Sequence, residues 1–195
     1  MRNVLFILLG VVLLTVLLAG CNYNGLVKKR EAVTGQWANV EAAYQRRSDL
    51  IPNLVETVKA GGKYEQETLD KIVQARASAT QTKVDVNNLS QEEIDKFQAA
   101  QTNLSRLLLV MENYPDLKAT QGYADLRTEL TSTEDKIAFE RKKFNDIVQD
   151  YNASISTFPA VLTAKLFGFN AKGYFKADEG SDKAPSVGKM FNDGK

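Results

Sequence analysis

Few residues in this chain could carry chemistry, and their types set narrow limits. Histidine is absent. The commonest general base at neutral pH and the commonest metal ligand are therefore missing. A Ser-His-Asp or Cys-His catalytic set cannot be assembled without it. There is one cysteine, Cys21, so neither an intrachain disulfide nor a thiolate cluster can form. No zinc spacing, P-loop or GxGxxG fingerprint occurs in the sequence. Carboxylates abound, with 24 Asp plus Glu. Paired Glu residues in a helical bundle can hold a metal, but sites of that kind add Glu-x-x-His, which cannot occur here. Three charged residues remain: Arg47, Glu134 and Arg141. Each interrupts an apolar stripe. They make either a polar site beside a core or a buried ion pair that fixes helix register. The residues thus assign no catalytic group, no cofactor and no metal.

Cys21 draws its meaning from its neighbours. It closes the segment "MRNVLFILLGVVLLTVLLAGC", in which Arg2 precedes an uncharged run over residues 4–19. A transmembrane helix needs about 20 apolar residues. A secretory signal peptide needs a positive start, a shorter apolar middle and small residues at a cleavage site. The run is marginal for a span and comfortable for a signal. Leu18-Ala19-Gly20-Cys21 resembles the bacterial lipobox at all four positions. That resemblance implies a diacylglyceryl group, with palmitate-type acyl chains, on the Cys21 thiol and a cut just before it. Two acyl chains hold a protein where one would let go, at about 0.8 kcal/mol per buried CH₂. The rival is an uncleaved anchor with the body in the cytoplasm. Lys28, Lys29 and Arg30 after the run speak for it. Residues 1–20 are accordingly expected to be a lipoprotein signal peptide, and 21–25 a tether.

The elements that must position everything else are helical. Val33, Trp37, Val40, Tyr44, Ile51, Leu54 and Val58 recur at steps of three, four and seven, which is one stripe along a neighbour. Arg47 falls where the step of seven would divide. Pro52 lies inside the pattern without breaking its phase, so one bent helix is expected, ending at Gly61-Gly62. A second helix is expected over 63–83, with Arg76 on its apolar side. Ser90 and Glu93 form a capping box for a third, whose stripe includes Ile94, Phe97, Gln101 and Leu104, ending before Pro115. A fourth, over 121–155, carries Tyr123, Leu126, Leu130, Glu134, Ile137, Arg141, Phe144, Val148, Tyr151 and Ile155. Pro159 ends it, and "PAVLTAKLFGF" adds a short helical turn; "FGFNAKGYF" at 167–175, beyond the main bundle, is expected to cover the bundle end, with a partner-docking patch as the alternative. No strand alternation persists. Four apolar-striped helices with short connectors imply a helical bundle. Its first and last helices would each run roughly 50 Å at about 1.5 Å per residue. If those two are antiparallel with aligned ends, Arg47 meets Glu134.

The stretches "YNGLVKKREAV", "RRSDLIPNLVETVK", "ENYPDLKA" and "TEDKIAFERKKFNDIVQDYN", with "FP" and "LFGF" after them, resemble the LemA family over nearly all of the chain beyond Cys21. The resemblance implies a small membrane-attached protein with an antiparallel four-helix body. It brings no catalytic residues with it. The expected fold is all-α, an antiparallel up-and-down four-helix bundle over 26–169 with long first and last helices, followed by a flexible tail over 170–195. The net charge of +1 gives no long-range attraction to nucleic acid or anionic lipid. The expected protein is a non-enzyme at a bacterial cell membrane or outer membrane. It faces away from the cytoplasm, is held by lipid on Cys21, and works by binding a protein or other envelope component. A carboxylate-based metal bundle and a cytoplasm-facing bundle on an uncleaved span are the alternatives.

Overall fold

The computed structural model describes residues 2–60, 66–111 and 121–177. The Gly61-Gly62 break, "ENYPDLKA" at 112–119 and residues 178–195 of the expected tail lie outside them. The described residues form five α-helices and one 3₁₀ turn, with no strand among them: α1 Arg2–Ala60, α2 Gln66–Gln81, the turn Val86–Asn88, α3 Gln91–Met111, α4 Gln121–Ser156 and α5 Ala160–Phe167. At about 1.5 Å per residue α1 runs about 90 Å and α4 about 55 Å. Among the described residues, no helix is long and apolar enough to cross a membrane.

α1 does not begin at Leu26. It runs as one helix through residues 21–25, where a tether was expected. Asn22 and Gly25 are weak helix formers, but each costs only about 1 kcal/mol or less against alanine. Tyr23 offsets this by packing its ring on Phe167 and Phe169, at 4.8 and 5.7 Å between centroids.

α1 and α4 run antiparallel along one another. Lys29 pairs with Asp150, Gln36 with Glu140 and Arg46 with Glu129. α1 also continues without a break through Pro52. Proline has no N–H, so the carbonyl four residues earlier loses its helical donor. That carbonyl is Ser48 O, and Arg76 Nε of α2 donates to it at 2.8 Å. The gap in one helix becomes the attachment point of the next. At the start of α3, Ser90 Oγ accepts from the Glu93 N–H at 3.3 Å, the backbone half of a capping box.

The interior has two apolar clusters. The near one, toward residue 21, joins Leu26, Val33, Trp37, Val40 and Tyr44 of α1 with Phe97, Phe144, Val148 and Tyr151. The far one joins Ile51, Leu54, Val55 and Val58 with Leu69, Ile72, Leu104, Tyr123 and Leu126.

Residues 170–177 are not a free tail. Lys172, Gly173 and Phe175 are buried, and Phe175 stacks on Trp37 at 5.9 Å with the rings 9° apart. The segment is an extended strap without a β-partner among the described residues. Side-chain carboxamides supply the missing ladder. Asn152 holds both N–H and C=O of Lys172. Gln91 does the same for Tyr174, Asn145 for Phe175, and Gln98 for Lys176. From Tyr174 to Lys176 the clamps alternate between α3 and α4, because successive peptide groups of extended chain point to opposite sides. The Gly173 N–H donates to Leu89 O at 2.9 Å, and a Cβ there would lie 2.6 Å from Gln91 Cα. Only glycine lets the strap come this close.

Candidate functional site

A polar layer separates the two clusters. On α1, Arg47 sits between Tyr44 and Ile51; on α3, Gln101 sits between Phe97 and Leu104; on α4, Thr133 and Glu134 sit between Leu130 and Ile137. Arg47 is 1 % exposed. Its Nη1 donates to Ser105 Oγ at 2.6 Å and to Glu134 Oε1 at 3.0 Å. Its Nη2 donates to Gln101 Oε1 at 2.5 Å and to Gln101 O at 3.2 Å. The guanidinium carbon stands 5.0 Å from the Tyr44 ring centroid, a cation–π distance. Gln101 Nε2 in turn donates to Ala79 O of α2 at 3.2 Å. The guanidinium therefore joins α1 to α3 and α4 directly, and Gln101 carries the connection on to α2. Its planar fork and weak hydration suit arginine to such a buried junction.

The structure brings Arg47 and Glu134 together but not as a doubly buried pair, since the Glu134 side chain is 44 % exposed. Arg141 stays out of the core. It donates to Lys176 O at 2.7 Å and lies over the Phe175 ring at the strap. The buried face of α4 runs through Thr133 and Glu140 instead, one residue before each of the charged positions read as interruptions. A step of three from Ile137 reaches Glu140 and a step of four reaches Arg141. Both fit a helix, and only the neighbour's shape decides.

Glu140 makes a second polar node. Gln36 Nε2 donates to its Oε2 at 2.6 Å, and Lys136 Nζ lies 2.6 Å from its Oε1. Asn39 donates to Gln36 Oε1 at 3.1 Å. The hydrogen bond from Lys136, then that from Gln36, holds the Glu140 carboxyl below the usual carboxylate range. At the strap, the buried Lys172 ammonium donates to Asn87 O at 2.8 Å. Burial first, and then Arg30, pushes its pKa down. Gln36, Gln101 and the carboxamides of the strap were not singled out as a site in the sequence. Gln101 alone carried a signal there, as a polar residue on an apolar stripe.

The surface offers shallow grooves. One of about 370 Å³ lies between α1 and α2 and is lined by Tyr44, Ser48, Lys83 and Gln101. Another, of about 720 Å³, follows the α1–α4 seam beside Arg46, Lys136 and Glu140. Among the described residues no three Asp, Glu or Cys side chains converge as a metal site would require. Cys21 lies within α1, two residues before Tyr23.

A sequence profile of the LemA family matches residues 36–188. The chain belongs to the LemA family. Protein LemA of Metamycoplasma hominis is 27 % identical over 158 residues, covering 80 % of this chain and 69 % of that protein. Magnetosome protein MamQ of Magnetospirillum gryphiswaldense is 30 % identical over 90 residues, or 46 % of this chain. Magnetosome protein MamQ 2 of Paramagnetospirillum magneticum matches to the same extent. The match covers 33 % of the length of either MamQ protein. This LemA-family chain thus shares most of its length with one relative and a shorter stretch with the others.

Proposed function

We propose that this LemA-family chain is a lipid-anchored, extracytoplasmic rod: an antiparallel up-and-down four-helix bundle held at a bacterial membrane by an acylated Cys21. It acts by binding a protein or other envelope component and not by catalysis. The observation that carries the reading is where the buried charge goes. Arg47, Glu140 and Lys172, the buried charged residues among those described, each hold partners inside the fold. They fasten helices and strap to one another, and a rigid body is what remains to be presented to a partner.

A second reading keeps residues 1–20 as an uncleaved span with the body on the cytoplasmic side. The continuity of α1 through residues 21–25 favours it. Mass spectrometry of the amino terminus separates the two. The lipid anchor requires a chain that starts at Cys21 and carries a diacylglyceryl group, and Cys21→Ser should then leave a heavier, unprocessed chain. Residues 1–20 intact beside an unmodified thiol would leave only the span. Binding is tested by photocrosslinking in cells from the exposed Phe139 position and from both grooves. Recovery of the chain alone from every position would count against an interaction role, and stoichiometric metal in purified protein would favour a carboxylate centre.

A further inference from the structure

α5 buries one side and leaves the other bare. Thr163 and Ala164 face the body. Phe158, Leu162, Leu166 and Phe167 face outward, with Leu162 58 % and Leu166 73 % exposed. Leu162 and Leu166 are spaced by four on α5, so they share one side of it; Phe167 widens that side, and Phe158 is exposed in the turn just before the helix. Isolated exposed apolar residues need no explanation, but four on one short segment do.

Their position suggests what covers them. The Phe167 ring touches Tyr23, and Tyr23 follows Cys21 by two residues of helix, a rise of about 3 Å. Ala160 and Ala164 pack against the cluster that holds Leu26 and Ile155. α5 is therefore seated at the end of the body where the uncharged segment 4–19 enters. Lys28 and Lys165 are exposed at that same end.

We infer that the outer face of α5 lies in the lipid interface as a second membrane contact. Phe158, Leu162, Leu166 and Phe167 enter the boundary between headgroups and acyl chains, and Lys28 and Lys165 sit among anionic headgroups. A helix of this kind enters that boundary by about 5–10 Å, a depth that a segment beside Tyr23 can reach. One flexible lipid anchor would let the rod tilt freely. An anchor and a wedge set one orientation. This inference rests on attachment of the amino-terminal end to a membrane, whether by lipid on Cys21 or by a retained span.

The test uses the full chain in vesicles of phosphatidylethanolamine and phosphatidylglycerol, with Leu162→Cys, Leu166→Cys or Phe139→Cys labelled by an environment-sensitive fluorophore. Phe139 is an exposed apolar residue midway along α4 and serves as the water-facing control. Acylated Cys21 takes no label, and two labels per chain would reveal a free thiol. Labels at 162 and 166 should resist aqueous iodide severalfold better than the label at 139, and lipids bearing nitroxide on the acyl chain should quench them. Equal iodide quenching at all three sites in chains that float with the vesicles would overturn the α5 contact and leave the anchor standing. Protection from iodide without quenching by nitroxide lipid would mean that protein covers the face, and would also overturn it. Chains that fail to float would overturn both anchor and contact.

Discussion

The near and far halves of the body are built from different residues to solve different problems. In the far half, among the described residues, helices pack on helices, and branched aliphatics interdigitate: Ile51, Leu54, Val55 and Val58 against Leu69, Ile72 and Leu104. In the near half α2 is missing, and an extended strap takes its place between α3 and α4. An extended chain leaves wide, flat gaps beside helices. Trp37, Phe97, Phe144 and Phe175 fill them with rings 5.1–6.4 Å apart, mostly edge to face. The halves meet at Arg47. A bundle can thus lose one helix along half its length if aromatic volume and side-chain amides replace it.

Substitutions in each half, in the layer between them and in the strap break or sharpen this contrast. Trp37→Ala should do the most damage, about 3–5 kcal/mol, because Phe97, Phe144 and Phe175 all lose a neighbour. Its loss should also free the strap, so amide exchange at Tyr174 and Phe175 should rise far more than exchange in α2. Leu104→Ala, in the far half, should destabilise the fold without that selective release. Trp37→Phe should be milder. The indole N–H is buried with no hydrogen-bond partner among the described residues, so its removal leaves nothing unpaired.

At the boundary, Gln101→Leu should cost about 2–3 kcal/mol, since a buried guanidinium loses a charge-assisted bond and Ala79 O loses its donor. Glu134→Ala should cost below about 1 kcal/mol because its carboxylate is half in water. Urea unfolding of both variants ranks them, and the opposite order would mean that the ion pair, and not the amide, holds the layer. Gly173→Ala should cost about 1–3 kcal/mol by overpacking, with the lost protection confined to the strap. A modest effect is expected for Arg76→Met, about 1 kcal/mol for the bond to Ser48 O. In a Pro52→Ala background the helix supplies its own donor, and the Arg76 contribution should shrink. A double-mutant cycle reads that coupling.

The helices were legible in the sequence because three- and four-residue steps are a property of single segments. Arg47 was legible for the same reason: a charge on an otherwise apolar stripe must find partners. The apolar stripe of α4 was legible too, with Ile137, Phe144, Val148 and Tyr151 buried; its polar step was not, because Glu140 and Arg141 satisfy the same periodicity and the choice belongs to Gln36 across the seam. The strap was least legible. Its Lys, Gly and Asn content reads as solvent-exposed chain, and Gln91, Gln98, Asn145 and Asn152 read as the wet sides of helices. Only when α3 and α4 lie side by side do four carboxamides become a ladder. Phe169, Tyr174 and Phe175, close together so near the carboxyl end, were the one hint that this segment had somewhere to pack.

That ladder has a consequence for how the segment can change over time. The clamps grip main chain, so they are blind to most side chains; they are sensitive to count. Replacing Ala171 or Lys176 should pass almost unnoticed. Inserting a single residue between Gly168 and Gly173 would carry Phe175 out of its slot, bring a Cβ against α3, and turn every peptide group toward the wrong helix. The strap's information is held in its spacing far more than in its letters. Homologous straps should therefore drift in composition while keeping a glycine and a phenylalanine two residues apart, at a fixed distance from the turn at Gly168.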